Sequence, residues 1–215
     1  YYTDANGAGV DELTGVSNIE NIILGNATAK VTVTNTIAEA LYDDPAQGNN
    51  HITVNGSALT GGNTLTFDAS GVTDYYSFYV TGGSGNDVIK TGAGEDHLTG
   101  GAGDDILAPG VSQNGSQNVV DGGEGTDTLD FSTFTTGLMV MGNADGAGYA
   151  ISSSIMDTVF SSIEAVKGGS ESDQIDLTNW TTGATIYSGG AGATAEGLRG
   201  TQGNDHVDME SGPRN

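Results

Sequence analysis

Residues 82–108 read GGSGNDVIK, TGAGEDHLT and GGAGDDILA, three back-to-back copies of one nine-residue unit. Each copy has glycine at its second and fourth places (Gly83 and Gly85, Gly92 and Gly94, Gly101 and Gly103). Each has aspartate at its sixth place (Asp87, Asp96, Asp105) and an aliphatic residue at its eighth (Ile89, Leu98, Leu107). The pattern is G-G-x-G-x-D-x-U-x. Two glycines per unit, at about 1 kcal/mol each, exclude a continuous helix, and they permit the positive φ and close backbone approach of tight turns. The last three residues of a unit, such as Val88-Ile89-Lys90, then form a short strand with only the central side chain facing inward. A strand so short needs stacked neighbours. The expectation is a pile of coils in which the aliphatics form one continuous column and each repeat pairs with its neighbours.

Stacking also aligns the sixth-place aspartates and the carbonyls of the turns. Aligned carboxylates repel, and carbonyls in tight turns lack partners. A hard dication relieves both problems, since Ca²⁺ takes roughly six to eight oxygens at about 2.3–2.6 Å. The donor set is all oxygen and the chain has no cysteine, which disfavours zinc and copper. Several calcium ions are therefore expected.

The pattern runs past its clean core. GGEGTDTLD at 122–130 is a fourth good copy, with Gly123, Gly125, Asp127 and Leu129. QNGSQNVVD at 113–121 has Asn118 at the aspartate place and Val120 at the inward place, but lacks the two glycines. Pro109-Gly110-Val111-Ser112 reads as an insertion ahead of it. Fragmentary copies follow: GGSESDQID at 168–176 with Asp173, and GTQGNDHVD at 200–208 with Gly203, Asp205 and Val207. GGAGATAEG at 189–197 has Thr194 where aspartate should stand, so no strong site is expected there. A flexible glycine-rich linker has no reason to keep aliphatics in phase with aspartate.

These residues resemble the RTX (repeat-in-toxin) family of calcium-binding secreted bacterial proteins. The clean resemblance covers residues 82–130, about a quarter of the chain. GTDTLDFS at 125–132, a hydrophobic strand pair and SSIEAVKGG at 161–169 look like the connector between RTX blocks. SNIENIILGN at 17–26 repeats the phrase S-x-I-E-x-[IV], which points to two related units. The resemblance implies a parallel β-roll, type I export and folding triggered by external calcium. It leaves the biological job open, because the repeat occurs in toxins, proteases, lipases, adhesins and surface-layer proteins.

Composition narrows the field. The net charge of −23, from 28 acids against five bases, repels nucleic acid and anionic membranes. Strong acidity often means disorder, but 35% hydrophobic content and phased aliphatics argue for order with calcium and partial disorder without it. No stretch of about 18 apolar residues occurs, so no membrane span is expected. Lack of cysteine fits a protein exported unfolded and stapled by metal. Neither a signal peptide nor an initiator Met is visible at Tyr1, so the chain reads as excised from a longer one.

Elsewhere, KVTVTNT (30–36), HITVNGS (51–57), NTLTFDAS (63–70) and YYSFYVTGG (75–83) alternate as half-buried strands do. Ile37–Tyr42 reads as about one helical turn, and further strands are expected around Leu138–Met141, Tyr149–Ile151 and Val159–Val166. The expected fold is all-β: a parallel β-roll or β-solenoid with calcium-binding turns, flanked by additional strands. Its segments are 1–72 (strand-rich, β-solenoid or β-sandwich-like), 73–130 (the roll) and 131–215 (connector strands and degenerate repeats).

No H-E-x-x-H or G-x-S-x-G is present, and His51, His97 and His206 are scattered, the last two at outward seventh places. Asp44-Pro45 reads as a plain turn, not a scissile bond. The expected function is a non-enzymatic, calcium-binding structural module of a secreted bacterial surface protein. Such a module is extracellular or at the cell surface and associates with itself or with that surface. One alternative is the C-terminal export and folding domain of a type I-secreted hydrolase. Another is a sugar-binding adhesin module, resting on Tyr75, Tyr76, Phe78 and Tyr79, which otherwise read as a cap on the core.

Overall fold

The computed structural model describes residues 13, 16–17, 19–41, 51–112, 115–152, 155–189 and 197–208. Among these the chain is mostly β-strand with a single helix, and no helix is long and apolar enough to cross a membrane.

The strands fall into two sheets. One holds β1 (Asn21–Ile23), β3 (His51–Asn55), β5 (Ser77–Thr81), β7 (His97–Ala102) and β9 (Asn118–Glu124), paired parallel in that order. The other holds β2 (Ala29–Thr32), β4 (Leu65–Asp68), β6 (Val88–Lys90), β8 (Ile106–Ala108) and β10 (Thr128–Asp130), then β14 (Ala165–Lys167), β16 (Thr185–Tyr187) and β17 (His206–Asp208). This second sheet is parallel throughout.

Successive strands thus alternate between sheets, because a tight turn follows every short strand and sends the next one to the opposite side. A repeat therefore pairs with the copy after next. Asp87 bonds to Asp105 at an offset of 18 residues, and Asp105 to Asp127 at 22. This corrects the expectation of nearest-neighbour pairing and a single column. There are two facing columns. Ile22, Val54, Val80, Leu98, Val120 and Phe160 line the first sheet. Val31, Phe67, Ile89, Leu107, Leu129, Val166 and Ile186 line the second. All are buried, as the alternation along each strand requires.

Hydrogen bonding continues across residues 72 and 130, where β4 joins β6, β3 joins β5, and β10 joins β14. The helical expectation at Ile37–Tyr42 is met by α1 (Asn35–Leu41), which buries Ala38 and Leu41. The Thr34 hydroxyl accepts the Ile37 amide at 3.4 Å, satisfying one free donor of its first turn.

One departure interrupts the parallel order. After β9 the first sheet continues with β13 (Ile155–Ser161), β12 (Ala147–Ser152), β11 (Leu138–Ala144) and β15 (Gln174–Asp176). The pairs β11–β12 and β12–β13 are antiparallel, while β13–β9 and β11–β15 are parallel. Over the same stretch the second sheet gains only β14, so the first is wider by two strands, roughly 10 Å. Trp180 lies across this widened inner face. Its indole N–H donates to the Ala147 carbonyl at 3.0 Å, its ring meets Phe160 edge-on at 6.4 Å, and Gly142 leaves it room.

Candidate metal centre

The site repeats at the start of each short strand. The first amide of such a strand has no partner within its own turn, so it needs an acceptor from a neighbouring coil. The sixth-place aspartates, turned inward, provide it. Asp87 Oδ1 accepts the Leu65 amide (2.6 Å), Asp105 Oδ1 that of Asp87 (2.7 Å), and Asp127 Oδ1 that of Asp105 (2.8 Å). At the other end of the coil Asp96 Oδ1 accepts the Phe78 amide at 2.8 Å. These are charge-assisted bonds, the strong kind.

A second ladder, missed in the sequence, runs the opposite way through the fifth place. Asn86 Oδ1 accepts the Asp104 amide (3.0 Å) and Asp104 Oδ1 accepts that of Thr126 (2.9 Å). The first place was missed too. Gly82, Gly100 and Gly122 each face the Oδ2 of their own repeat's aspartate and a backbone carbonyl of the next coil, that of Gly100, Gly122 and Ser162 respectively. A Cβ at any of them would lie under 3.0 Å from both. The signal was visible as glycine at the first place of three of the four good copies, with Thr91 in the other.

The second- and fourth-place glycines serve coil-to-coil approach. Gly123 faces the carbonyl of Gly101, and Gly101 that of Gly83; Gly125 faces Gly103, and Gly103 faces Gly85. Gly83 and Gly85 pack in turn on Leu59 and Asn63, Gly92 on Val72, Gly94 on Tyr76, and Gly203 on the backbone of Gly183. Gly110 faces the carbonyl of Gly92 in the same way. Pro109 and Gly110 therefore take the first and second places of the copy whose sixth place is Asn118, and do not stand ahead of it as an insertion.

Do these residues suit calcium? Oδ2 of Asp96, Asp105 and Asp127 is buried with no hydrogen-bond partner. Unpaired carboxylate oxygens inside a protein are costly unless a cation answers them. The donors to hand, carboxylate and carbonyl oxygens, are those calcium takes. Among the described residues no cluster of three or more His, Asp or Glu side chains converges, so carbonyls have to complete any ligand set.

The other predicted ligands differ in their surroundings. Asp87 Oδ2 and Asp173 Oδ2 accept the amides of Gly83 (2.6 Å) and Gly169 (2.7 Å). Asp205 is held by Ala184, Thr201 and the Thr201 hydroxyl. Asn118 takes the aspartate place, its Oδ1 accepting the Asp96 amide at 3.0 Å, while its Nδ2 donates to Gly110 and Asp157. Buried Asp157, from β13, was not foreseen. It also accepts the Ser112 amide and the Ser152 hydroxyl. Thr194 lies outside the described residues.

Burial pushes Asp96 up to about 7, against the Phe78 amide and the Thr91 side chain. Burial also raises Asp105 to about 7, opposed by the Asp87 amide and reinforced by the charges of Asp87, Asp127 and Asp104. Asp127 reaches about 6 through burial, with Glu164, Asp104 and Asp121 adding to it. Each folded value exceeds the usual unfolded value near 3.9. Without a cation, the folded chain therefore keeps protons that the unfolded chain releases. The resulting penalty is fully present above about pH 7 and is relieved as pH falls toward about 4. For Asp96 alone it is on the order of 4 kcal/mol. In chelator, the circular dichroism β signal should grow on acidification from about pH 8 to about pH 5. A flat response would mean these carboxylates carry no such penalty.

The family model of the RTX calcium-binding nonapeptide repeat matches the chain in four copies, over residues 80–111 and 114–132. No curated protein and no solved structure gives a significant match. The matched stretches contain all three aspartates with an unpartnered oxygen, and the break between them falls in the turn enlarged after Gly110. Residues 80–111 and 114–132, about a quarter of the chain, therefore carry the RTX calcium-binding nonapeptide repeat.

Proposed function

We propose that this chain is a non-enzymatic, calcium-binding structural module of a secreted bacterial surface protein: a surface-layer, adhesin or filament subunit. It folds as a parallel β-roll, with residues 73–130 as the calcium-binding core, 1–72 as the strand-rich N-terminal segment and 131–215 as connector and degenerate repeats. The observation that carries this reading is the set of three buried, unpartnered carboxylate oxygens on Asp96, Asp105 and Asp127.

Calcium, when bound, supplies the positive charge that lets stacked carboxylates and carbonyls of neighbouring coils share one interior. Asp105 and Asp127 hold the adjacent coils in register through their amide bonds, and the glycines keep the coils close enough for their oxygens to converge. Outside the cell, calcium is plentiful enough to fill such sites; during export the chain stays unfolded.

Strands on both sides of the repeats share their sheets, which favours a structural body over an appended export tail. The sugar-binding alternative is weakened by Tyr79. Its ring is stacked between His51 (4.1 Å) and His97 (4.2 Å), so neither face is open to a sugar.

At net charge −23, copies repel until calcium offsets the charge. Raising calcium into the millimolar range should convert monomers to ordered polymers, seen by light scattering and electron microscopy. Magnesium should substitute poorly, because it demands tighter octahedral geometry. A chain that folds with calcium yet stays monomeric at high protein concentration would instead favour the export-domain reading.

A further inference from the structure

The turn that enters β14 has none of the nonapeptide's glycines. It reads Ser161-Ser162-Ile163-Glu164 and lies outside both stretches matched by the repeat family. Yet it does at β10 what a nonapeptide turn does elsewhere. Glu164 Oε2 accepts the Asp127 amide at 2.9 Å, as Asp127 accepts that of Asp105 and Asp105 that of Asp87. The Ser162 carbonyl faces Gly122, where the carbonyls of Gly122 and Gly100 face Gly100 and Gly82 in the coils before. To turn it there, Ser162 adopts φ 53°, the only positive φ of a non-glycine among the described residues. Such a backbone costs on the order of 1–3 kcal/mol and persists only where its surroundings require it.

From Gly122 to Asp127 the chain has five steps; from Ser162 to Glu164 it has two. The Glu164 amide itself donates to the Asp127 carbonyl at 3.1 Å, so the backbone lies against the stack while the side chain turns back to the Asp127 amide. Asp127 Oδ2, fully buried and without a partner, faces this cradle.

We propose that Ser161–Glu164 completes the calcium site at Asp127 Oδ2, the Glu164 carboxylate standing in for the sixth-place aspartate and the Ser162 carbonyl for that of the first-place glycine. This rests on calcium filling the nonapeptide sites, as argued above. The array then extends one coil beyond its sequence signature.

The variant Glu164→Gln keeps an oxygen to accept the Asp127 amide but removes the charge. Equilibrium dialysis of the full chain against radioactive calcium should show one ion fewer than wild type, or one site weakened at least tenfold, with the other sites intact. Equal stoichiometry and affinities would overturn the proposal. A wild-type chain that binds no calcium at all would be a different failure, that of the calcium reading itself. Should Glu164→Gln not regain the wild-type β spectrum in calcium, carbodiimide labelling of the wild-type chain decides. Calcium should protect Glu164 as fully as Asp105; protection of Asp105 without Glu164 would overturn the proposal.

Discussion

Removal of calcium at neutral pH is expected to abolish most of the β-structure, seen as loss of the strand signal in far-ultraviolet circular dichroism when chelator is added. Three aspartates, Asp105 and Asp127 stacked in one ladder and Asp96 in the other, each leave an oxygen buried and unanswered, and each is held ionised against a burial that favours its neutral form. A ligand at a hundredfold its Kd stabilises the folded state by about 2.7 kcal/mol per site. Three such sites supply about 8 kcal/mol, comparable to the whole stability of an ordinary domain, about 5–15 kcal/mol. Against this stand the two buried hydrophobic columns and the backbone ladders, with most strands of the second sheet only three residues long. The loss should reverse on adding calcium back. A spectrum unchanged in chelator would show that hydrophobic stacking alone holds the coils.

Gly123→Ala is expected to be among the most damaging single methyl groups in the repeats, costing about 3 kcal/mol or more. Two effects coincide there. Its φ of 107° is one that L side chains rarely adopt, and the added Cβ would meet the backbone carbonyl of Gly101 at under 3.0 Å. Backbone on both sides leaves nothing that can swing away. Gly115→Ala separates the causes, because φ there is 79° but nothing lies within 4 Å of the new Cβ; it should cost only about 1 kcal/mol. Thermal melts in saturating calcium should show a fall of roughly 6–12 °C for Gly123→Ala and a few degrees for Gly115→Ala. Equal shifts would mean that close approach of coils is not what the second-place glycine serves.

The nonapeptide made the inward aliphatics, the inward aspartates and the glycine turns legible, because each follows from local pattern: one residue of a short strand buried, one acid at its start. Ile89, Leu98, Leu107 and Leu129 all stand in the core, and β3, β4 and β5 lie within the alternating segments read as strands, while β2 takes up only Lys30–Thr32 of its segment, whose Asn35 and Thr36 open the helix. Pairing was less legible. Nothing within nine residues states that the partner is two copies away, since that depends on where the turn sends the next strand. Asp157 reaches Asn118 across 39 residues, and no periodicity marks it. Glu164 was hidden differently. It sits in a turn of another length, outside the nonapeptide register, where no glycine pattern marks it.

The antiparallel strands β11–β13 carry a lesson about inheritance. They enter a parallel sheet next to β9 and hand it on to β15 with direction unchanged, because two reversals cancel. The arithmetic is one of parity. A lone added strand that reversed direction would leave β15 pointing the wrong way, with its inward Ile175 and its Asp173 at the wrong end of the coil. A whole hairpin changes nothing downstream. The hairpin is thus the unit by which this sheet can lengthen or shorten over evolutionary time, and its turn at Asp145-Gly146 is what anchors it, Asp145 accepting the Thr181 and Thr182 amides and the Gly146 carbonyl that of Ile163.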